Sequence, residues 1–213
     1  VGPVAEVNGV SYATLADAIN AAKDGEKVNM LASTVCTENT DLTEVKSVTV
    51  DFAQHTFTGD NKNIAIRSKA EGAGVLTLMN GTITTGDGTY CTLGAANGSA
   101  IVVKDMILNN STAFGGSVKA FPGGTIELRD SQLNSVKGGG VAAAGGTVNI
   151  YNSKIDQKEY YDWNSMIAAA SNGTGVVNIY GGEFTSENYG LYIFTSGGTI
   201  NVYDGTNVKA VIL

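Results

Sequence analysis

The sequence is poor in residues that mark disordered, disulfide-rich or nucleic-acid-binding chains. Its 213 residues include two prolines, two cysteines, one histidine and one tryptophan, and only 15% are charged. Because proline is so scarce, the 28 glycines do not form a disordered Pro/Gly tract. The net charge is −7, and the arginines are Arg67 and Arg129. We therefore predict that nucleic acid is not a partner, since its phosphates are bound through clusters of Lys and Arg.

Long hydrophobic runs are also missing. The longest uncharged stretch, residues 163–182, is rich in Asn, Ser and Gly, which predicts no membrane insertion. The chain begins at Val1 without a recognisable signal peptide, as a mature chain or a fragment of a longer protein would. Its length fits one domain, residues 1–213.

The two cysteines, Cys36 and Cys91, lie in or beside predicted strands about two coils of a repeat apart. Strands stack at about 4.8 Å per coil, so the two Cα atoms would be roughly 10 Å apart, which is beyond the reach of a disulfide. We expect free thiols, with a bridge as the alternative if the register is shifted. His55 has no His or Cys neighbour in its motif, so we predict no metal site.

A motif of about eleven residues recurs along the chain. Residues 147–157 read TVNIYNSKIDQ, and residues 176–186 read VVNIYGGEFTS. Related copies start at Ser47 (with one inserted residue), Val75, Ala100, Thr125 and Thr199, so the spacings are 28, 25, 25, 22, 29 and 23 residues. A repeat of this length and number predicts a solenoid.

Within each copy the side chains alternate between apolar and polar, as in a strand with one face inward. The apolar second, fourth and ninth positions should form columns from coil to coil, for example Ile101, Ile126, Val148 and Val177. A further short strand is predicted midway between copies, at 63–66, 90–93, 117–120, 140–143, 165–168 and 191–194. Gly, Asn, Ser and Thr fill the gaps as turn residues. We predict an all-β fold, a single-stranded parallel β-helix (solenoid) of about seven coils; its right-handed winding is implied only by the family resemblance given below.

One segment near the N-terminus has helical spacing instead. Leu15, Ala18, Ile19 and Ala22 would share one face of a helix over residues 14–23. Thr14 fits as the N-cap, Asp17 follows three residues later, and Gly25 would close the segment. We expect residues 1–27 to provide a strand and a capping helix and residues 28–213 to form the coils. A partner-binding role of this helix is the alternative.

The last residues, NVKAVIL, carry no polar or helical cover for the final coil. Either the natural chain continues, or this end meets another protein. A chain cut from a longer protein is the simpler explanation, and self-association through this C-terminal coil is the more specific alternative.

The N-terminal stretch VAEVNGVSYATLADAINAAKDGEKVNMLAS, followed by VKSVTVDFAQHTFTG, resembles the start of the pectin-lyase-like right-handed parallel β-helices. It is more similar to repetitive surface proteins of Gram-positive, gut-type bacteria. Such a resemblance implies a short first strand, a capping helix and a secreted, cell-surface location. It leaves the activity open, because this scaffold carries lyases, hydrolases, adhesins and structural modules.

The resemblance to polygalacturonase-like members implies Asn-Thr-Asp, Asp-Asp, Gly-His-Gly and Arg-Ile-Lys elements, and only the first is present, at residues 39–41. A lyase-type site would need an acidic Ca²⁺ cluster with an Arg or Lys base. The best candidate is a patch with Arg129, Lys104 and Glu127 on neighbouring strands. A stacked column lies beside it and consists of Asn80, Asp105, Asp130 and Asn152. A solvated face with cross-strand charge pairs is the favoured interpretation of the patch. We therefore assign no catalytic residue and no cofactor; Ca²⁺ has no independent support.

Aromatic residues of the C-terminal half suggest a binding surface. The outward third and fifth positions repeat as Asn149, Asn178, Asn201 and as Tyr151, Tyr180, Tyr203, predicting an asparagine ladder beside a tyrosine ladder. The outward tyrosines could make a flat strip for sugar rings or a protein, or simply stack for stability. The insertion in the longest coil adds Tyr160, Tyr161, Asp162 and Trp163, and the next coil adds Tyr189 and Tyr192. Insertions in repeat proteins often lie on a binding face, although Trp163 could equally pack against the coil edge.

We therefore expect a non-enzymatic extracellular module of a bacterial surface protein, acting in adhesion, ligand binding or surface assembly. Its expected partner is a glycan or a host or matrix protein. One alternative is a pectin-lyase-type polysaccharide lyase or hydrolase with a divergent site. The other is a filament subunit that stacks end to end.

Overall fold

The structure, a computed structural model, describes residues 2–60, 64–86, 89–111, 116–136, 139–158, 165–170, 174–186, 193–203 and 208–212. Its helix α1 spans Leu15–Ala21. In chain order, the strands are β1 Ala5–Val7, β2 Val10–Tyr12, β3 Lys27–Met30, β4 Thr34–Cys36, β5 Thr40–Leu42, β6 Ser47–Asp51, β7 Thr56–Gly59, β8 Ile64–Ser68, β9 Val75–Thr85, β10 Cys91–Ala95, β11 Ala100–Asn110, β12 Gly116–Ala120, β13 Thr125–Arg129, β14 Gln132–Ser135, β15 Gly139–Ala144, β16 Thr147–Tyr151, β17 Ser153–Gln157, β18 Ile167–Ala170, β19 Val176–Ile179, β20 Gly182–Ser186, β21 Ile193–Thr195, β22 Thr199–Val202 and β23 Val208–Ile212.

The chain forms a parallel β-solenoid of about six turns, which confirms the predicted fold class with slightly fewer coils than expected. The first face consists of β3, β6, the first half of β9, the first half of β11, β13, β16, β19 and β22. The second face consists of β4, β7, the second halves of β9 and β11, β14, β17, β20 and β23. The third face is β5, β8, β10, β12, β15, β18 and β21, close to the predicted mid-coil strands.

The apolar columns predicted from the repeat are present. Ile101 pairs with Ile126, Ile126 with Val148, and Val148 with Val177, all in parallel register. Each of these four side chains is essentially buried. The alternation with period two thus places every second side chain inside the coil, and the parallel register of successive coils places equivalent residues in one column.

One detail of the repeat was wrong. The register pairs Asp51 with Met79 and Thr56 with Thr82, so the coil of β6 and β7 carries two inserted residues rather than one. The longer corner buries Phe52 completely. It also explains Gly81, where an added Cβ would lie 2.3 Å from the Phe52 Cβ atom.

The N-terminal end of the solenoid is closed by a helix and a hairpin. The Thr14 hydroxyl accepts from the Asp17 amide at 3.0 Å, as predicted, and Leu15, Ala18 and Ile19 are buried. The helix ends at Ala21, and Gly25 (φ 79°) belongs to the following turn rather than to the C-cap.

The hairpin was not predicted as such. β1 pairs antiparallel with both β2 and β3, so it covers the edge of the first parallel coil. Asn8 and Gly9 form its two-residue loop with φ values of 49° and 79°. Two positive φ values favour Asn-Gly, which is the signal that the sequence carried.

A buried lysine joins this end to the first coil. Lys46 is 7% exposed, and its Nζ atom donates to the carbonyl oxygens of Asn20 and Ala22 at 2.9 and 2.8 Å. These carbonyls lie at the C-terminal end of the helix, where a cation interacts favourably with the helix dipole. The Glu44 carboxylate lies 3.2 Å from the same Nζ atom.

Both cysteines are free thiols, as expected. Cys36 ends β4 on the second face, whereas Cys91 begins β10 on the third face. Burial raises the pKa of Cys91 to about 12, so this thiol is unreactive at neutral pH.

Candidate functional site

The predicted tyrosine and asparagine ladders form on the first face. We call the six residues the Tyr–Asn strip: Asn149, Tyr151, Asn178, Tyr180, Asn201 and Tyr203. Parallel pairing of β16 with β19 and of β19 with β22 places them in two adjacent outward columns. Tyr180 and Tyr203 directly follow their strands.

The tyrosine rings stack face to face along the solenoid. The centroids of Tyr151 and Tyr180 are 4.6 Å apart with 3° between the planes, and those of Tyr180 and Tyr203 are 4.4 Å apart with 9°. Arg129 lies on the preceding coil, and its Cζ atom is 4.0 Å from the centroid of the Tyr151 ring. Both faces of Tyr180 are therefore covered, so the strip presents ring edges and not a flat surface of ring faces.

The asparagines beside them form a chain of side-chain hydrogen bonds. The Nδ2 atom of Asn178 donates to Oδ1 of Asn149, and that of Asn201 donates to Oδ1 of Asn178, each at 2.9 Å. The Tyr203 hydroxyl also donates to Asn178 Oδ1 at 3.3 Å. The pKa of Tyr203 is raised, mainly because its side chain is hydrogen-bonded to Tyr180. The strip is a pre-ordered row of polar groups.

The patch considered for catalysis has a structural explanation. Arg129 donates from Nε to Glu127 Oε2 at 2.9 Å while its guanidinium lies over the Tyr151 ring. Lys104 precedes Arg129 in register and is exposed. These contacts hold the guanidinium against its own strand and its neighbour.

The acidic column beside this patch forms the corner between the first and second faces. Asn80, Asp105, Asp130 and Asn152 have φ values of 60°, 52°, 48° and 44°. Among residues other than glycine, Asn and Asp tolerate this left-handed conformation best, so the corner itself favours these residue types. The Asn152 amide donates to Asp130 Oδ1 at 2.8 Å.

The remaining motif residues are also held by local contacts. Asp41, from the Asn-Thr-Asp sequence, accepts two hydrogen bonds of 2.6 Å, one from Nε and one from Nη2 of Arg67. Its carboxylate also lies 3.2 Å from the Nζ atom of Lys69. His55 lies in the two-residue insertion corner, where its backbone bonds to Phe52 and Thr82. In the described part of the chain, no group of three or more His, Cys, Asp or Glu side chains could hold a metal ion.

Six of the nine predicted binding residues lie outside the described residues: Tyr160, Tyr161, Asp162, Trp163, Tyr189 and Tyr192. Their role stays a prediction from the sequence.

A groove of about 380 Å³ on the second face was not predicted. We call it the amide groove. Its lining consists of Thr84, Thr85, Asn109, Asn110, Ser111, Gln132, Asn134, Val136, Asp156 and Lys158. Asn109, Asn134 and Asp156 occupy one outward column in register. The sequence signal is the amide or acid at the tenth motif position, which was not considered in the prediction from the sequence.

No protein-family model matches this chain, and neither the curated proteins nor the solved structures gave a match. The class of protein is therefore defined by its architecture, a parallel β-solenoid. The described residues include no helix that is long and apolar enough to cross a membrane.

Proposed function

We propose that this chain is a non-enzymatic, extracellular ligand-binding module of a bacterial surface protein, similar to the pectin-lyase-like β-helices in fold. It acts in adhesion and holds a glycan or a host or matrix protein on its C-terminal half. The observation that carries this proposal is the Tyr–Asn strip, where outward side chains repeat although the coil interior does not require it.

The geometry of the strip defines how it would bind. Its rings and amides are fixed by stacking and by side-chain hydrogen bonds, so little side-chain entropy is lost on binding. Tyrosine edges and hydroxyls offer apolar contact together with hydrogen bonds, a combination that is common at protein interfaces. Tyr203 is 42% exposed and belongs to the most accessible part of the strip.

The binding test compares two substitutions in one outward column. Tyr180→Ala removes the central ring of the strip, and Met79→Ala removes a side chain at the same motif position near the N-terminus. Both proteins would be tested by surface plasmon resonance against immobilised collagen, fibronectin, mucin and a glycan array. We expect a ligand of the parent protein to bind Tyr180→Ala at least about tenfold more weakly, since a lost central aromatic contact commonly costs more than 1 kcal/mol. If both variants bind the ligand equally well, the Tyr–Asn strip is not the binding site.

Trp163→Ala belongs in the same panel. The sequence predicts that it also weakens binding, and parent-like binding would confine the site to the strip.

Incubation of the protein with neutral and uronate polysaccharides, with and without Ca²⁺, tests the enzymatic alternative. Product release from any of them would contradict a purely binding role.

A further inference from the structure

The amide groove carries three connected amides with unused hydrogen-bonding capacity. The Nε2 atom of Gln132 donates to Oδ1 of Asn134, and Nδ2 of Asn134 donates to Oδ1 of Asn109, both at 2.8 Å. Within the described residues, Gln132 Oε1 has no donor and Asn109 Nδ2 has no acceptor. The chain of amides therefore ends in a free acceptor on one side and a free donor on the other.

Asp156 continues the same column one coil further on. Its Oδ1 atom is shielded from solvent and has no hydrogen-bond partner in the described part of the chain. The neighbouring Thr185, which pairs with Asp156 in register and is 6% exposed, also has an unpartnered hydroxyl there. Unsatisfied polar atoms at such a site are uncommon and costly, so a donor that entered beside Asp156 would relieve an existing penalty.

A buried hydrogen bond holds the inner side of the groove in place. Asn110 reaches the groove from inside the coil, is 1% exposed, and donates to the Ser117 hydroxyl at 2.9 Å. Outside the lining, Ile107 pairs with Gln132 in register and is 42% exposed. A volume of about 380 Å³ lies within the range of small-ligand sites, about 300–1,000 Å³.

We propose that the amide groove binds a neutral saccharide chain. A sugar hydroxyl both donates and accepts, which matches the free acceptor of Gln132, the free donor of Asn109 and the carboxylate of Asp156. The lining carries one carboxylate, Asp156, and one ammonium group, Lys158, so its formal charges balance, and the net charge of −7 is what disfavours an acidic saccharide. The groove lies on the second face and is a site separate from the Tyr–Asn strip.

The test uses isothermal titration calorimetry with cellohexaose, xylohexaose and mannohexaose, and with hexagalacturonate as the acidic probe. The proteins are the parent, Asn134→Ala, Asp156→Asn, and Thr58→Ala as the control. Thr58 occupies the same outward column of the second face, two coils before Asn109 and outside the groove. Circular dichroism and thermal melting would show that the groove variants keep the fold.

We expect at least one neutral probe to bind the parent and Thr58→Ala equally. Loss of the bridging amide or of the carboxylate should weaken this binding at least about tenfold, the effect of roughly one good hydrogen bond. Tyr180→Ala separates the two sites, because it should leave this binding unchanged. The inference is overturned if no neutral probe binds, if both groove variants bind like the parent, if hexagalacturonate binds more tightly, or if only Tyr180→Ala loses binding.

Discussion

The first face has an N-terminal half, up to β11, and a C-terminal half, from β16 onward, that share one interior. In β6, β9 and β11 of the first half and in β16 and β19 of the second, the inward residues of this face are buried Val, Leu or Ile. Outward, the N-terminal half carries Thr49, Thr77 and Val102 in one column and Asp51, Met79 and Lys104 in the next. The C-terminal half repeats Asn and Tyr at the same positions. Winding therefore depends on the interior, and the outward repetition is an additional feature of one half.

The largest expected effect concerns the shared interior. Leu78→Ala and Ile150→Ala remove buried side chains of one inward column, one from each half. Each should lower the free energy of unfolding by about 2–5 kcal/mol, because a cavity remains in a close-packed stack. Urea unfolding followed by circular dichroism measures both. A cost below about 1 kcal/mol in one variant would show that the two halves do not share one kind of core.

The second prediction concerns the closed end that the N-terminal half possesses. Lys46→Met keeps the length of the side chain and removes both hydrogen bonds to the helix carbonyls. We expect a loss of about 1–3 kcal/mol, since charge-assisted bonds are lost and Asn20 and Ala22 keep unpaired oxygens. Hydrogen exchange should show faster opening of α1 and β5 than of β16. Unchanged protection of the helix would mean that its apolar face alone holds it.

The third prediction removes the feature that only the C-terminal half has. Tyr180→Ala breaks two ring stacks and should cost about 0.5–1.5 kcal/mol for each aromatic pair lost, in addition to the lost packing area. Met79→Ala, at the equivalent position of the N-terminal half, has no ring to stack and should cost less. Thermal melting of both proteins checks this order. Equal melting points of the two variants would mean that the tyrosine stack contributes no more to stability than the contacts of Met79 do, which would favour a purely functional role.

The coils could be predicted from the sequence because both of their signals can be read directly along the chain. Alternation shows which side chains point inward, and the spacing of the copies shows which residues share a column, so Ile101, Ile126, Val148 and Val177 could be aligned before the structure was known. The orientation of the tyrosine rings could not be predicted in this way. Stacking depends on χ angles and on neighbours such as Arg129, which alternation does not specify.

Other features were missed, one through a miscount and the others because they depend on packing between coils. The single inserted residue before Phe57 was a miscount, since Phe57 is the eleventh residue from Ser47 and takes the ninth motif position, in register with Ile83. The buried Asn110 sits at an inward position that alternation alone would assign to an apolar residue, and its partner Ser117 lies on another face. The amide groove was missed for the same reason, since its lining comes from four coils, those of β9, β11, β14 and β17, and includes residues that directly follow three of these strands.

The smallest expected effect separates the two halves by their response to acid. Outward charge pairs of the N-terminal half include Asp41 with Arg67 and Asp51 with Lys27. Burial opposes ionisation of Asp41, but its hydrogen bonds with Arg67 and Lys69 outweigh burial and lower its pKa. The pKa of Asp51 is lowered in the same sense, because Lys27, the Ala53 amide and Asn80 outweigh burial.

A carboxylate with a lowered pKa stabilises the fold above its unfolded pKa, about 3.9, and this contribution is lost as the pH falls through the folded value. We therefore expect the N-terminal coils to lose hydrogen-exchange protection below about pH 4 before the Tyr–Asn coils do. Asp41→Asn should flatten this acid dependence and cost about 1 kcal/mol or less at neutral pH, since the pair is near the surface. Glu183→Gln, which breaks a contact of 3.7 Å with Lys154 in the C-terminal half, is the control and should leave the acid response of the N-terminal coils unchanged. Simultaneous loss of protection in both halves would show that the solenoid unfolds as one cooperative unit in acid, whatever its outward residues are.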